Sequence, residues 1–327
     1  MARTNKQIVK AAGTTITTAG LAAGGALNPE QARQFIQQTF DATPLGALVR
    51  HEMRVSKTGE IDKIGIARRI LRKKVENTDD GYRAGVNHGK IEYATTAVRV
   101  PWEITEETLR ENIEGQRYEE IVTNLMTQQI GCDAEDIYIN GDSAIPAEYD
   151  TGEKDEQQQP IMADTPDYDF LKINDGWLKQ IKTGGHVVDM TGKSMSLDMF
   201  YGGLRAIPNK FNNGRLRWLM SPHRRQDWER YILNQAVTVG GIITDRRVEN
   251  PASIPAIEVP SMPDDAIILT DPQNLIVVNS YGVIIRKTTE GKEAIMQDKR
   301  FYTVHFDFDT IIEELDATAV ITGLAAI

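Results

Sequence analysis

Few residues in this 327-residue chain are of types that do chemistry, and their spacing withholds most of the chemistry they suggest. Gly192-Lys193-Ser194 matches the last three residues of a phosphate-cradling loop. Such a loop needs another glycine five positions earlier, so that backbone amides can face the phosphate, and that position holds Val187. A simple turn is the better reading. The histidines His51, His88, His186, His223 and His305 include no pair at helical metal-binding spacing and no His-Glu-x-x-His. His223 sits beside Arg224 and Arg225 on what reads as a solvated helical face, and His305 alternates within a strand.

Carboxylates are paired at Glu106-Glu107, Glu119-Glu120 and Glu313-Glu314. Adjacent helix positions do not face each other and adjacent strand positions point to opposite faces, so these read as exposed, solubilising charge. The one cysteine, Cys132, lies near Ile130 and Ala134 in a helical pattern and is expected to be a buried small hydrophobe, not a nucleophile. A single cysteine leaves no intrachain disulfide, which suits a reducing compartment. There is no Gly-x-Ser-x-Gly elbow and no dinucleotide fingerprint. No catalytic residue, cofactor or metal is therefore expected, and the chain reads as a non-enzyme.

Composition narrows the classes further. The formal net charge of −10 argues against tight binding of nucleic acid through its phosphates, although an acidic wall can enclose DNA without gripping it. No run approaches the apolar length of a membrane span. Arg3 and Lys6 precede a stretch that loosely imitates an export signal, but Gly13-Thr14-Thr15-Ile16-Thr17-Thr18 is too polar for a secretory core.

The elements that would position any site are easier to read. Residues 1–27 are rich in Ala, Gly and Thr and read as an arm. Asn28-Pro29 starts a helix whose apolar face is Ala32, Phe35, Ile36 and Phe40. In residues 53–101 two alternating runs, Ile91 to Thr95 and Val98 to Trp102, suggest two long strands folded back on each other and projecting from the body. A short helix over 103–112 leads to a long one from Tyr118, with a stripe of Ile121, Val122, Leu125, Met126, Ile130, Ala134 and Ile137. Asn140-Gly141-Asp142 ends it, with a glycine able to turn left-handed. Residues 148–160 are patternless and read as a loop. Residues 168–270 read as a compact mixed unit, with a helix from Ser196 to Pro208, a strand through Leu216, Trp218 and Met220, and a helix capped by Ser221-Pro222. Strands at 275–278, 282–287, 301–308 and 317–324 close the chain, for an α+β fold.

The projecting segment is charged one way. Arg54, Lys57, Lys63, Arg68, Arg69, Arg72, Lys73 and Lys74 face only Glu60 and Asp62 between residues 54 and 74. A two-stranded excursion has little core of its own and must lie against another surface. A nucleic-acid-binding module centred here is weakened by the lack of a recognition helix or interleaved aromatics.

This order of parts resembles the HK97-fold major capsid proteins of tailed bacteriophages. The resemblance assigns 1–52 to an N-terminal arm, 53–101 to an extended β-hairpin loop, and 102–167 to a peripheral domain with its spine helix. It makes 168–270 the axial domain and 271–327 the return strands of the peripheral domain. It implies a major capsid protein of the virion, assembled in the host cytoplasm through pentamers and hexamers into an icosahedral shell around double-stranded DNA, with no sequence-specific DNA contact and no membrane. The short segment before the first helix implies a separate scaffolding protein or none, with a portal and decoration proteins as further partners. Laid over a neighbour's acidic helix or return strands, the basic excursion would gain complementarity, and Arg68, Arg69, Arg72, Lys73 and Lys74 are the expected contacts. An encapsulin shell and a soluble enzyme of unrecognised type are the alternatives.

Overall fold

The structure is a computed structural model that describes residues 43–65, 69–71, 73, 76, 81–111, 118–145, 150–154, 160–162, 168–238, 250–289 and 291–324. The helix expected to start at Asn28-Pro29 lies outside these residues. In chain order the first elements are β1 (Arg50–Arg54), β2 (Thr58–Gly65), β3 (Asn87–Ala94), β4 (Thr96–Thr105), α1 (Glu106–Glu111) and α2 (Tyr118–Asn140). There follow β5 (Asp150–Lys154), β6 (Pro160–Met162), α3 (Tyr168–Leu171), α4 (Trp177–Gly184), β7 (His186–Lys193), α5 (Leu197–Ala206), β8 (Arg217–Met220) and α6 (Pro222–Thr238). The chain closes with β9 (Ala256–Glu258), β10 (Ile267–Thr270), β11 (Leu275–Thr288), α7 (Lys292–Gln297), β12 (Lys299–Ile312) and β13 (Ala319–Leu324).

Two sheets make the body. One has the order β1-β11-β12-β4, the other β7-β13-β10-β8-β9. Strand alternation in the five-stranded sheet shows why it is buried on both faces. Ile267 and Leu269 join Trp218, Met220, Phe200 and Trp228 under α5 and α6, while Ile268, Leu219 and Val320 face the opposite way. That second face meets Trp177 and Ile181 of α4, and the same cluster takes in Leu275, Val277, Phe308 and Ile312 of the four-stranded sheet. One apolar core thus joins the two sheets.

Helix α2, about 34 Å long at 1.5 Å per residue, lies on the same face of the four-stranded sheet. Val122 and Ile130 pack on Trp102, Ile104, Tyr302 and Val304 towards one end, and Ala134, Ile137 and Tyr138 on Phe308 and its neighbours towards the other. Within the expected stripe, Ile121 and Leu125 are left exposed. Cys132 is exposed too, against the expectation of burial, because the buried positions around it are 130, 131, 134 and 135 and the thiol points away from them.

Other boundaries move. The run through Val98 and Trp102 does not belong to the hairpin: β4 pairs along β12, from Thr96 against Phe308 to Thr105 against Lys299, so the hairpin is β2 with β3. That pairing also carries strand into Glu103–Thr105, and α1 begins only at Glu106. Within residues 148–160, read as a loop, lies β5, which pairs antiparallel with β6 starting at Pro160. Within 271–327, β13 pairs with β7 and β10 in the five-stranded sheet, so only β11 and β12 return to the four-stranded one. Gly141 does not end α2 by a left-handed turn. It is needed because a Cβ there would lie 2.3 Å from the Asn174 carbonyl oxygen and 2.6 Å from that of Ile137.

Candidate assembly interface

The hairpin is held to the body at its root. Ile61 of β2 and Tyr93 of β3, both nearly buried, pack on Ile276, Val278 and Ile311, the face of the four-stranded sheet opposite α2. Burying two such side chains is worth roughly 1.5–3 kcal/mol each. Lys57 reaches Asp307 at 3.0 Å, and Lys63 pairs with Glu314 while donating to the Glu313 carbonyl at 3.2 Å. Arg50 holds the Glu313 carboxylate at 2.9 Å. The expectation that Glu313 and Glu314 are merely solvated is thus corrected, because they are ion-pair partners of a basic segment that would otherwise leave them unmatched. The excursion also lies first on the return strands of its own subunit, and the acidic end of those strands is already engaged.

Only the distal part remains to meet anything else. Arg69 and Lys73 are exposed there, whereas Arg68, Arg72 and Lys74 lie outside the described residues. The same region displays apolar side chains that reading by charge passed over: Ile64, Ile70, Val86 and above all Leu71, which is 93% exposed. Their signal was present in the sequence as apolar residues interspersed among the cations.

Two further apolar features are open. Helix α7, between β11 and β12, exposes Ile295 and Met296, and α2 exposes Ile121 and Leu125. Isolated apolar residues on a surface are ordinary, but clusters on projecting elements mark contact surfaces. No group of His, Cys, Asp and Glu among the described residues could hold a metal ion. Gly192, at φ +70°, lies inside β7 where its register against β13 shifts, so the simple turn left by the failed phosphate motif is corrected to an irregularity within a strand.

His223 Nδ1 contacts Asp264 Oδ2 at 3.1 Å, and Ser221 hydrogen-bonds the same carboxylate. Burial works against ionisation of Asp264, but these hydrogen bonds outweigh it and hold the carboxyl below its usual range. The Ser221 hydroxyl also accepts the Arg224 amide at 3.2 Å, which makes it a helix cap for α6. Asp264 stands between the serine and the histidine, so the group braces the helix start and offers no activated hydroxyl.

No family model matches the chain. A protein of Bacillus subtilis (strain 168) named as a prophage capsid protein, YqbE, is 25% identical over 97% of this chain and 98% of its own length. Among solved structures, the procapsid of satellite phage P4 has a TM-score of 0.62 at 12% identity, covering 98% of this chain and 95% of its own. The capsid of an empty GTA particle gives 0.58 at 10% identity, with 95% of each chain covered. An encapsulin complex from Synechococcus elongatus PCC 7942 gives 0.52 at 12% identity, over 99% of this chain and 97% of its own. The likeness extends over nearly the whole of this chain and of each neighbour, and the chain has the HK97-like α+β fold of phage capsid proteins.

Proposed function

We propose that the chain is the major capsid protein of a tailed phage, assembling through pentamers and hexamers into an icosahedral shell around double-stranded DNA. The observation that carries this reading is the match over nearly the full length of both chains to shell subunits, together with the relative named as a prophage capsid protein. Its role is structural: the subunit contributes surfaces, not a reaction. Rings of five and six use head-to-tail contacts, in which two different patches of one subunit meet. The distal hairpin is one such patch, where Arg68, Arg69, Arg72, Lys73 and Lys74 flank Ile70 and Leu71 in sequence. A separate scaffolding protein, a portal and decoration proteins are the further partners of this reading, the virion its destination and the host cytoplasm its place of assembly.

The likeness to the encapsulin complex keeps a cellular compartment as a second reading. Both readings share one test. The full chain is expressed with its neighbouring genes, and fast-sedimenting particles are treated with nuclease. Protected double-stranded DNA supports the phage shell; particles that enclose a protein cargo and no DNA support the compartment. A chain that stays a discrete small oligomer contradicts both.

A further inference from the structure

Building on the shell-forming reading, we propose that Asp309 is a positioning residue that fixes the angle at which the hairpin leaves the subunit and ties that angle to the end of α2. The pairing of β12 with β4 runs as far as Phe308 against Thr96. Asp309 is the next residue of β12, and Thr95 and Ala94 are where the partner chain turns off the sheet. At this point a side chain takes over from the ladder: the Ala94 amide donates to Asp309 Oδ2 at 2.8 Å.

The other carboxylate oxygen faces inward. Asp309 Oδ1 accepts from Asn174 Nδ2 at 3.1 Å and from the Thr310 amide at 2.8 Å. Asp309 is buried, at 9% exposure, so these three donors act in a medium that strengthens them. From there a polar chain continues. The Thr310 hydroxyl donates to the Asp175 carbonyl at 2.7 Å, and Gln180 Nε2 donates to the carbonyls of Asp175 and Thr310 at 2.9 and 2.7 Å. The Asp175 carboxylate accepts from the Ser143 amide at 2.8 Å and from Lys179 at 2.6 Å, and Lys179 also holds Asp142 at 2.7 Å. Residues 142 and 143 lie just beyond α2, after Gly141.

The legs of the hairpin are short at this end. Only 55–57 separate β1 from β2, and only Thr95 separates β3 from β4. The Thr95 amide and hydroxyl both donate to the Lys57 carbonyl, at 2.8 and 3.0 Å, so the two legs move together. The apolar seat of Ile61 and Tyr93 resists lifting but has no preferred direction. Lys57 and Lys63 also tether the hairpin to Asp307 and Glu314, but among the described groups at the root only Asp309 bonds the hairpin, β12 and the segment before α4 together.

The test combines hydrogen exchange on the unassembled full chain with electron microscopy of its particles, for Asp309→Ala and Asp309→Asn. In the alanine variant, exchange at Ala94 and Thr95 should rise roughly tenfold or more, as for loss of a hydrogen bond to a charged acceptor, while β11 and β12 keep their protection. Its shells should vary in diameter, and the asparagine variant, which keeps one accepting oxygen, should lie between. Unchanged exchange at Ala94 overturns the proposal, as does a rise spread evenly through β11 and β12, or shells of native diameter. If the alanine variant does not fold, Asp309→Asn is combined with Asn174→Asp. Recovered Ala94 protection in the double variant supports the proposal, and none overturns it. Should the native chain expressed with its neighbouring genes form no shells, the capsid reading fails, and the exchange measurement still decides the role of Asp309.

Discussion

At Gly141 a single missing methyl group decides whether α2 can meet the segment before α4. The Gly176 amide donates to the Gly141 carbonyl at 2.8 Å, and no side chain fits between the two backbones. Gly141→Ala should cost roughly 2–4 kcal/mol, read as a lowered unfolding midpoint in denaturant. Glu135, 3% exposed on α2, accepts the Ser261 hydroxyl at 3.2 Å. Burial, partly offset by hydrogen bonds from Thr43, Ser261 and the amides of Leu45 and Gly46, keeps its carboxyl above the usual carboxylate range. An acid held more tightly protonated in the fold favours the fold below its ordinary pKa, and that benefit is lost as pH rises through the folded value. Glu135→Gln should therefore weaken the fall in thermal stability from about pH 4 towards neutrality. Melting curves across that range check it, and an unchanged slope would count against the assignment. The sequence marks Gly141 only as a helix end and does not mark Glu135, because a close approach and a buried carboxylate both depend on which distant segment lies opposite.

For the elements, the hairpin makes the sharpest prediction. Its root is satisfied within the subunit by Lys57, Lys63, Ile61 and Tyr93, so its outer cations and Leu71 are what remain for a neighbour. Arg68→Glu with Arg69→Glu should abolish assembly while leaving circular dichroism and the melting temperature of the subunit unchanged. Normal particles from that variant would remove the hairpin from the interface. Much of this level is written in local pattern. The long helix is announced by apolar steps of three and four from Ile121 to Ile137, and β8 by the alternation of Leu216, Trp218 and Met220. What local pattern lacks is the partner. Val98 and Val100 alternate equally well in a hairpin or along β12, and Leu125 fits an apolar stripe whether or not anything covers it. Helix α4 was missed for a related reason: Trp177 and Ile181 are apolar residues in an eight-residue segment too short to show a period.

Among the described residues, one of the apolar clusters spans both sheets. Trp177, Ile181 and Phe308 lie in a cluster that joins both sheets, so the subunit can act as a rigid unit while the hairpin and α7 reach outward. The fold was legible because parts of distinctive kind follow one another in a distinctive order, even though no single motif is specific. The contact residues were less so, since complementarity belongs to two copies and a sequence displays one. The most direct measurement is a cryo-electron microscopy reconstruction of particles formed by the full chain. A shell subunit gives five- and sixfold rings with residues 66–80 lying on a neighbouring copy. A discrete dimer, or rings in which that segment touches only its own subunit, would contradict the account.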